Sequence, residues 1–366
     1  MFKIFSTFTG AGGLDIGFHG DFKFLGKKYK KLPFSTFQAI EYNKDATDSL
    51  NYNKKYFPEI NNLIPKDITK DIDDELIKLT PNEYDVFLGG FPCVTFSVVG
   101  KQKGIKDNKD GQLYESFAKY VEKLNPKVFI AENVKGILSA NKGEAVKIIK
   151  ERFELDGYNL KVFLVNFADF GVPQLRQRVL FIGVRKDLNV EFIPPEFTHK
   201  NNHITAKKAF KDLPTENECI HMKQLNSSHH VIERLKHIPA GGNYKDVENT
   251  PYSVKGLMSN IYRRLHPDEP AYTVIASGGG GTWGYHYEHP RPLTNRERAR
   301  LQSFPDDYNF QGTTTEVRRQ IGNAVPPVGI YPFAQRVQCV LEGITPDFNP
   351  EKCIREYDIE KRTFMS

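Results

Sequence analysis

Across residues 1–190, short runs rich in β-branched and aromatic residues alternate with amphipathic segments of helical period. That alternation restricts the chain to an open α/β sheet more firmly than any other feature. The β-like runs are 3–8, 35–41, 84–88 and 127–131, and the helical ones 45–56, 73–79, 114–124 and 144–155. Helical crossovers between consecutive strands give a mostly parallel sheet, whose ligands bind beyond the strands' carboxyl ends. Two further runs, 160–165 and 179–184, flank a turn at Gly171 and Pro173 and predict a closing hairpin. Past Arg185 the pattern breaks at Pro194 and Pro195, then runs through a polar stretch to the tetraglycine at 278–281. We therefore expect one domain over 1–190, a second, smaller domain with its hinge over 191–311, and a segment, 312–366, that returns to the first. Thr294 with Glu297 three residues on predicts a helix opened by a capping box.

Length and composition narrow the class without naming a ligand. The 366 residues are about two domains' worth, 39% are hydrophobic and 26% charged, so disorder and low-complexity architectures are excluded. The net charge of +6 permits a polyanionic partner without demanding one, and 191–311 is almost neutral, with 15 Lys and Arg against 14 Asp and Glu. The four cysteines form neither a disulfide framework nor a Cys-x-x-Cys pair, which fits a reducing compartment. With no charged, apolar leader and no apolar run of about 20 residues, a cytoplasmic location is expected. His199 and His203 have zinc-like spacing but no nearby cysteines, so no metal is expected.

Several motifs carry chemistry. Phe8 to Leu14, with Gly10, Gly12 and Gly13, follows the first strand and opens a helix; such a turn is a bare corner or a place where a nucleotide approaches the backbone. Glu41 ends the second strand, where a carboxylate accepts from ribose hydroxyls, Tyr42 can lie against an adenine, and Asp67 ends a third expected strand. Each alone reads equally as a surface residue, but the trio on one rim favours an adenosine-bearing cofactor. Gly89-Gly90-Phe91-Pro92-Cys93 follows the next strand and places a thiol at the same rim. A lone cysteine is commonly an inert buried side chain, yet the glycines and Pro92 open the turn outward. Glu132, following the strand at 127–131, supplies a proton-handling carboxyl group there, with Asn133 to orient it. Arg176 and Arg178 alternate along the chain and would share one side, as a solvated face or as a pair suited to phosphate or a pyrimidine carbonyl. Lys101, Lys103, Lys106 and Lys109, among glycines, form a basic loop after Cys93.

In this order the segments resemble the carbon-5 cytosine DNA methyltransferases over nearly the whole chain. Residues 8–13 are similar to that family's Phe-x-Gly-x-Gly-Gly cofactor turn, 90–93 to its nucleophile motif, 132–134 to Glu-Asn-Val and 174–178 to Gln-x-Arg-x-Arg. Residues 291–305 resemble its Arg-x-x-Thr-x-Arg-Glu helix, and 320–325 its closing Gln-x-Gly-Asn-x-Val, which includes Asn323. Two departures stand out: Ser6-Thr7 replaces Asp-Leu, and Val94 replaces Gln after the cysteine.

The resemblance implies a Rossmann-like, S-adenosylmethionine-dependent fold in which 1–190 is catalytic and 191–311 recognises the target in the major groove. It implies methyl transfer from S-adenosylmethionine to a cytosine flipped out of double-stranded DNA, through a covalent adduct of Cys93. Glu132 would protonate ring nitrogen-3, Arg178 would hold the carbonyl at ring carbon-2, and Arg176 would stand beside it. Phe8, Gly10, Gly12, Gly13, Glu41, Tyr42, Asp67 and Asn323 would hold the cofactor. The residues at 277–282, with Arg263 and Arg264, would contact the DNA backbone. A monomer acting on DNA, paired with a restriction endonuclease of the same site, fits this layout. The alternatives are a tRNA cytosine methyltransferase of the same lineage, although its Cys-Phe-Thr tripeptide is absent, and a non-catalytic DNA-binding relative. A nicotinamide dehydrogenase is disfavoured by the glycine spacing.

Overall fold

The computed structural model describes residues 1–366 apart from 71, 93–108, 225–226, 255–259, 277–281, 283 and 365–366, and only the backbone of 109–112. Its strands in chain order are β1 (Phe2–Thr7), β2 (Phe22–Phe24), β3 (Lys27–Tyr29), β4 (Phe34–Ile40), β5 (Val86–Gly89), β6 (Val128–Val134), β7 (Tyr158–Asn166), β8 (Gln174–Leu175), β9 (Gln177–Arg185), β10 (Ala271–Tyr272), β11 (Tyr357–Asp358) and β12 (Thr363–Phe364). Six of them form one sheet in the order β4-β1-β5-β6-β9-β7. β4, β1, β5 and β6 are parallel, and β9 runs antiparallel to both β6 and β7, so the expected closing hairpin is present.

β5 is buried at every position because the sheet is covered on both faces, so its apolar run is continuous and not alternating. Val86 and Leu88 join one hydrophobic cluster, and Phe87 the other. The first cluster lies under helix α1 (Gly13–His19) and the helix Pro327–Glu342, the second under Lys109–Leu124 and Glu144–Leu155. A Cβ on Gly17 of α1 would stand 2.1 Å from Ile330 Cγ2, so this glycine lets the returning C-terminal helix pack directly on the first domain. Helix α2 (Lys44–Tyr52) ends four residues before the end of the predicted run, with Asn53 as its C-cap. The helix Asn295–Leu301 opens with the expected capping box between Thr294 and Glu297.

Leu235, Ile238, Tyr244, Val247, Tyr262 and Tyr285 form a separate small core within the region after Arg185. Ala206, Ala209, Leu265, Ala271 and Val274 from the same region belong instead to the main cluster. A two-residue parallel ladder, β10 on β8, registers the chain that follows Tyr262 and Leu265 directly against the segment that carries Arg176 and Arg178. Among the described residues no helix is long and apolar enough to cross a membrane.

Candidate active site

Sheet register builds the site. Thr7 is paired with Ile40 and with Gly89, and Gly89 with Ala131. The next residue on each strand, Phe8, Glu41, Gly90 and Glu132, therefore falls in one row at the carboxyl rim. Cys93 lies outside the described residues, as do Val94, Lys101, Lys103 and Lys106 and residues 277–281.

The turn after β1 has positive φ at Phe8 (51°), Gly10 (55°) and Gly12 (72°). Two of these glycines serve different ends. A Cβ on Gly12 would meet Phe57 Cζ at 2.2 Å and Leu50 Cδ2 at 2.8 Å, so packing excludes it, whereas a Cβ on Gly10 would meet nothing within 4 Å. Gly13 lies beneath the closing motif: its Cβ would stand 2.2 Å from the Val325 carbonyl oxygen. Gly12→Ala, which combines a left-handed φ with this clash, is expected to destabilise the fold by about 2–4 kcal/mol, read from chemical denaturation in the absence of ligand.

Glu41 closes the turn from the neighbouring strand. Its Oε2 accepts the Gly10 N–H at 2.6 Å and its Oε1 the Asn43 N–H at 2.8 Å. Burial raises its pKa, and these backbone donors pull it back. Two of its lone pairs are thus taken by backbone, leaving the others for a ligand. Tyr42 is exposed and, with Pro65, Lys66, Asp67, Lys70 and Glu75, lines a surface hollow. Asp67 ends no strand, contrary to expectation. It sits in a loop docked by the Lys66 N–H on the Glu41 carbonyl at 2.7 Å, and its Oδ1 accepts from Thr69. A loop reaches the rim there because Pro65 and the polar residues around it cannot continue a ladder.

Glu132 lies inside β6, not beyond its end, because β9 pairs with β6 as far as Val134. Its side chain is only 12% exposed and Oε1 stands 2.8 Å from Arg178 Nε. Burial raises the carboxyl pKa; Arg178 and then Arg176 oppose the rise. A Cβ on Gly90 would stand 3.2 Å from Glu132 Oε2, so the missing side chain leaves the carboxyl face open toward the nucleophile motif.

Asn133 does not orient Glu132. Its Nδ2 donates to the Phe91 carbonyl at 2.9 Å, holding the turn that leads to Cys93, while Phe91 packs on Tyr114 and Phe117. Arg176 and Arg178 do not share an open side either. Arg176 lies between β8 and β9, where strand alternation does not apply, and is 1% exposed. Its guanidinium donates to the carbonyls of Val274 (3.2 Å), Gly322 (2.9 Å) and Ala324 (3.1 Å). Burial lowers its pKa to about 9. It therefore joins β9 to the closing motif, whose exposed Asn323 stands two residues from the Val325 carbonyl under Gly13. Arg264 is likewise spent on structure, donating to the carbonyls of Leu235, Ile238, His286 and Tyr287. It is not free for phosphate. Arg263 lies over the Tyr272 ring.

A buried polar network lies behind the glycine turn, beyond what the sequence predicts. Asp15 of α1 accepts from Ser6 Oγ (3.1 Å) and Thr36 Oγ1 (2.8 Å), and burial raises its pKa to about 6. His19 accepts the Thr36 N–H on Nε2 and donates from Nδ1 to the Tyr56 carbonyl; burial holds its pKa down to about 4. Ser6, one of the two departures, thus faces Asp15 inside the fold and not the rim. An aspartate among the apolar residues of α1 was the available signal.

A glycine-rich strand–turn–helix and a carboxyl–guanidinium pair thus share one sheet rim. The family model of C-5 cytosine-specific DNA methylases matches residues 2–339, and the chain belongs to that family. It is 43% identical over 348 residues to the type II methyltransferase M.NgoFVII of Neisseria gonorrhoeae, covering 92% of this chain and 86% of that one. It is 46% identical over 274 residues to the type II methyltransferase M.BbvI of Brevibacillus brevis, covering 73% and 70%. A solved DNA modification methyltransferase encoded within an E. coli prophage superposes with a TM-score of 0.70 at 23% identity, over 93% of this chain and 100% of that one. At that identity the likeness shows the fold alone.

Proposed function

We propose that this chain methylates carbon-5 of one cytosine within a specific site of duplex DNA, using S-adenosylmethionine, as the modification half of a restriction–modification pair. The observation that carries this reading is the row at the rim, where the Glu132–Arg178 pair stands beside Gly90 of the nucleophile motif.

The donor set suits the cofactor. Open space beside Gly10, a buried carboxylate at Glu41 and the Tyr42–Asp67 hollow offer a backbone cradle, a hydroxyl acceptor and an aromatic face in sequence. Asn323, exposed and two residues before the Val325 carbonyl that stands over Gly13, would complete the cradle. When bound, S-adenosylmethionine supplies an electrophilic methyl group.

The chain's own residues prepare the base to receive it. The Cys93 thiolate adds to carbon-6, the proton on Glu132 passes to nitrogen-3, and the electrons so released make carbon-5 nucleophilic. Arg178 holds the carbonyl at carbon-2 and offsets charge as it develops. Arg176 acts through its three carbonyls as a positioning residue. Once carbon-5 is methylated its proton passes to solvent water, the sulfur–carbon-6 bond breaks to regenerate the thiolate, and nitrogen-3 returns its proton to the Glu132 carboxylate. A stacked base cannot reach these groups, so the cytosine must leave the helix. Residues 191–311 would read the flanking bases, with the small tyrosine-rich core as their platform.

Expression in a host lacking its own cytosine methylation, followed by base-resolution mapping, is expected to show 5-methylcytosine in one sequence context throughout the genome. Methyl incorporation into tRNA in place of duplex DNA would overturn the reading.

A further inference from the structure

None of the lysines of residues 21–33 takes part in the site above. That stretch holds Lys23, Lys27, Lys28, Lys30 and Lys31 against a single acid, Asp21. β2 and β3 fold it into a hairpin whose inner residues Phe22 and Tyr29 stack at 4.7 Å and pack edge-on against Tyr331.

Lys23 and Lys28 are direct cross-strand partners, so both project from the outer face, and all five lysines are exposed. Like charges opposed across a ladder destabilise it. Among the described residues the one ion pair that relieves them is an exposed contact between Lys28 and Asp21 at 3.8 Å, which contributes little. Among the described residues no carboxylate pairs with Lys23, Lys27, Lys30 or Lys31. The charge continues onto the region after residue 190: after burial, Lys27 and Lys208 are the next largest influences holding His199 below its usual pKa. Lys207 and Lys208 are exposed as well. Protection of an edge strand needs only a lysine or two and no opposed pair.

The hairpin lies at the sheet's amino-terminal edge, where Phe2 N–H bonds to the Pro33 carbonyl. The six residues of β1 separate it from the site's rim by roughly 20 Å. We propose that Lys23, Lys27, Lys28, Lys30 and Lys31, with Lys207 and Lys208, form a second, sequence-independent contact for the phosphates of duplex DNA. This rests on the reading that the chain acts on DNA. The surface would keep the enzyme on DNA that lacks its site, through counterion release.

The test replaces Lys23, Lys28, Lys30 and Lys31 together by glutamine. A salt titration measures binding of the full chain to a long duplex without the modified site, and kcat and KM are measured on a short duplex spanning only that site. The expected result is a salt slope shallower by about three to four and affinity for the long duplex lower by about tenfold or more. Turnover on the short duplex should match the parent, and the corresponding Lys→Arg variant should bind like the parent. An unchanged salt slope and affinity overturn the proposal, whether or not the glutamine variant is less soluble. An equal loss on the short duplex also overturns it, since the lysines would then serve the site itself. A parent chain that methylates DNA while the hairpin variant binds unchanged defeats the hairpin alone; a parent that methylates no duplex defeats the reading beneath it.

Discussion

A Cys93→Ser chain is expected to bind duplex DNA like the parent and to lose methyl transfer by about 10⁴-fold or more. A thiol becomes a nucleophilic anion within reach of neutral pH, and a serine hydroxyl does not. The surroundings of the motif would suit a nucleophile. Gly89 fits where a Cβ would stand 2.5 Å from Thr7 Oγ1, and Gly90 leaves the Glu132 carboxyl uncovered. Asn133 then pins the Phe91 carbonyl, so the chain leaves β5 in one fixed direction. Duplex carrying 5-fluorocytosine gives a second readout. Carbon-5 then has no proton to release after methylation, so the sulfur–carbon-6 bond cannot break and the parent should remain attached through denaturation. The serine variant should form no adduct. Turnover by that variant at the parent's rate would remove Cys93 from the mechanism.

The features legible in the sequence are those set by nearest neighbours. Alternating apolar and polar runs located β1, β4 and β5, and the Thr294–Glu297 spacing located its capping box, because each depends on a few adjacent residues. What stayed hidden depends on distant partners. Glu132 sits inside a strand because β9, about 50 residues onward, pairs along the whole of β6. Arg176 looks like a surface cation until Val274, Gly322 and Ala324 bring their carbonyls to it from about 100 to 150 residues away. The β2–β3 hairpin was short enough to miss, although Phe-Lys-Phe, then Leu25-Gly26, then Lys-Lys-Tyr is a strand–turn–strand pattern. The same contrast holds within the site. The order of the motifs identified the chemistry, while the roles of Asn133 and Arg176 as clamps emerged only from their carbonyl partners.

Glu132→Gln separates proton donation from position. Glutamine keeps the length and one acceptor oxygen of the carboxyl group, so Arg178 retains a partner and the fold of the rim is preserved. It has no carboxylic proton to give to nitrogen-3, and kcat should fall by about 10²–10⁴-fold with little change in KM for DNA. The pH profile tests the same point independently. Burial lifts the Glu132 pKa above the usual carboxylate value, against the pull of Arg178 and Arg176, so the donating form persists to higher pH than in an exposed glutamate. The parent's kcat should decline as pH rises through that pKa, and the glutamine variant should lack this limb. Through this position only the parent's stability depends on pH. A carboxyl group whose native pKa exceeds its unfolded value contributes fully below the unfolded pKa and loses that contribution as pH climbs through the native one. Glutamine does not ionise, so the variant should gain on the parent in denaturation experiments as pH rises across the same interval. A variant that retained both the parent's rate and its pH limb would show that the proton reaches the base from another group.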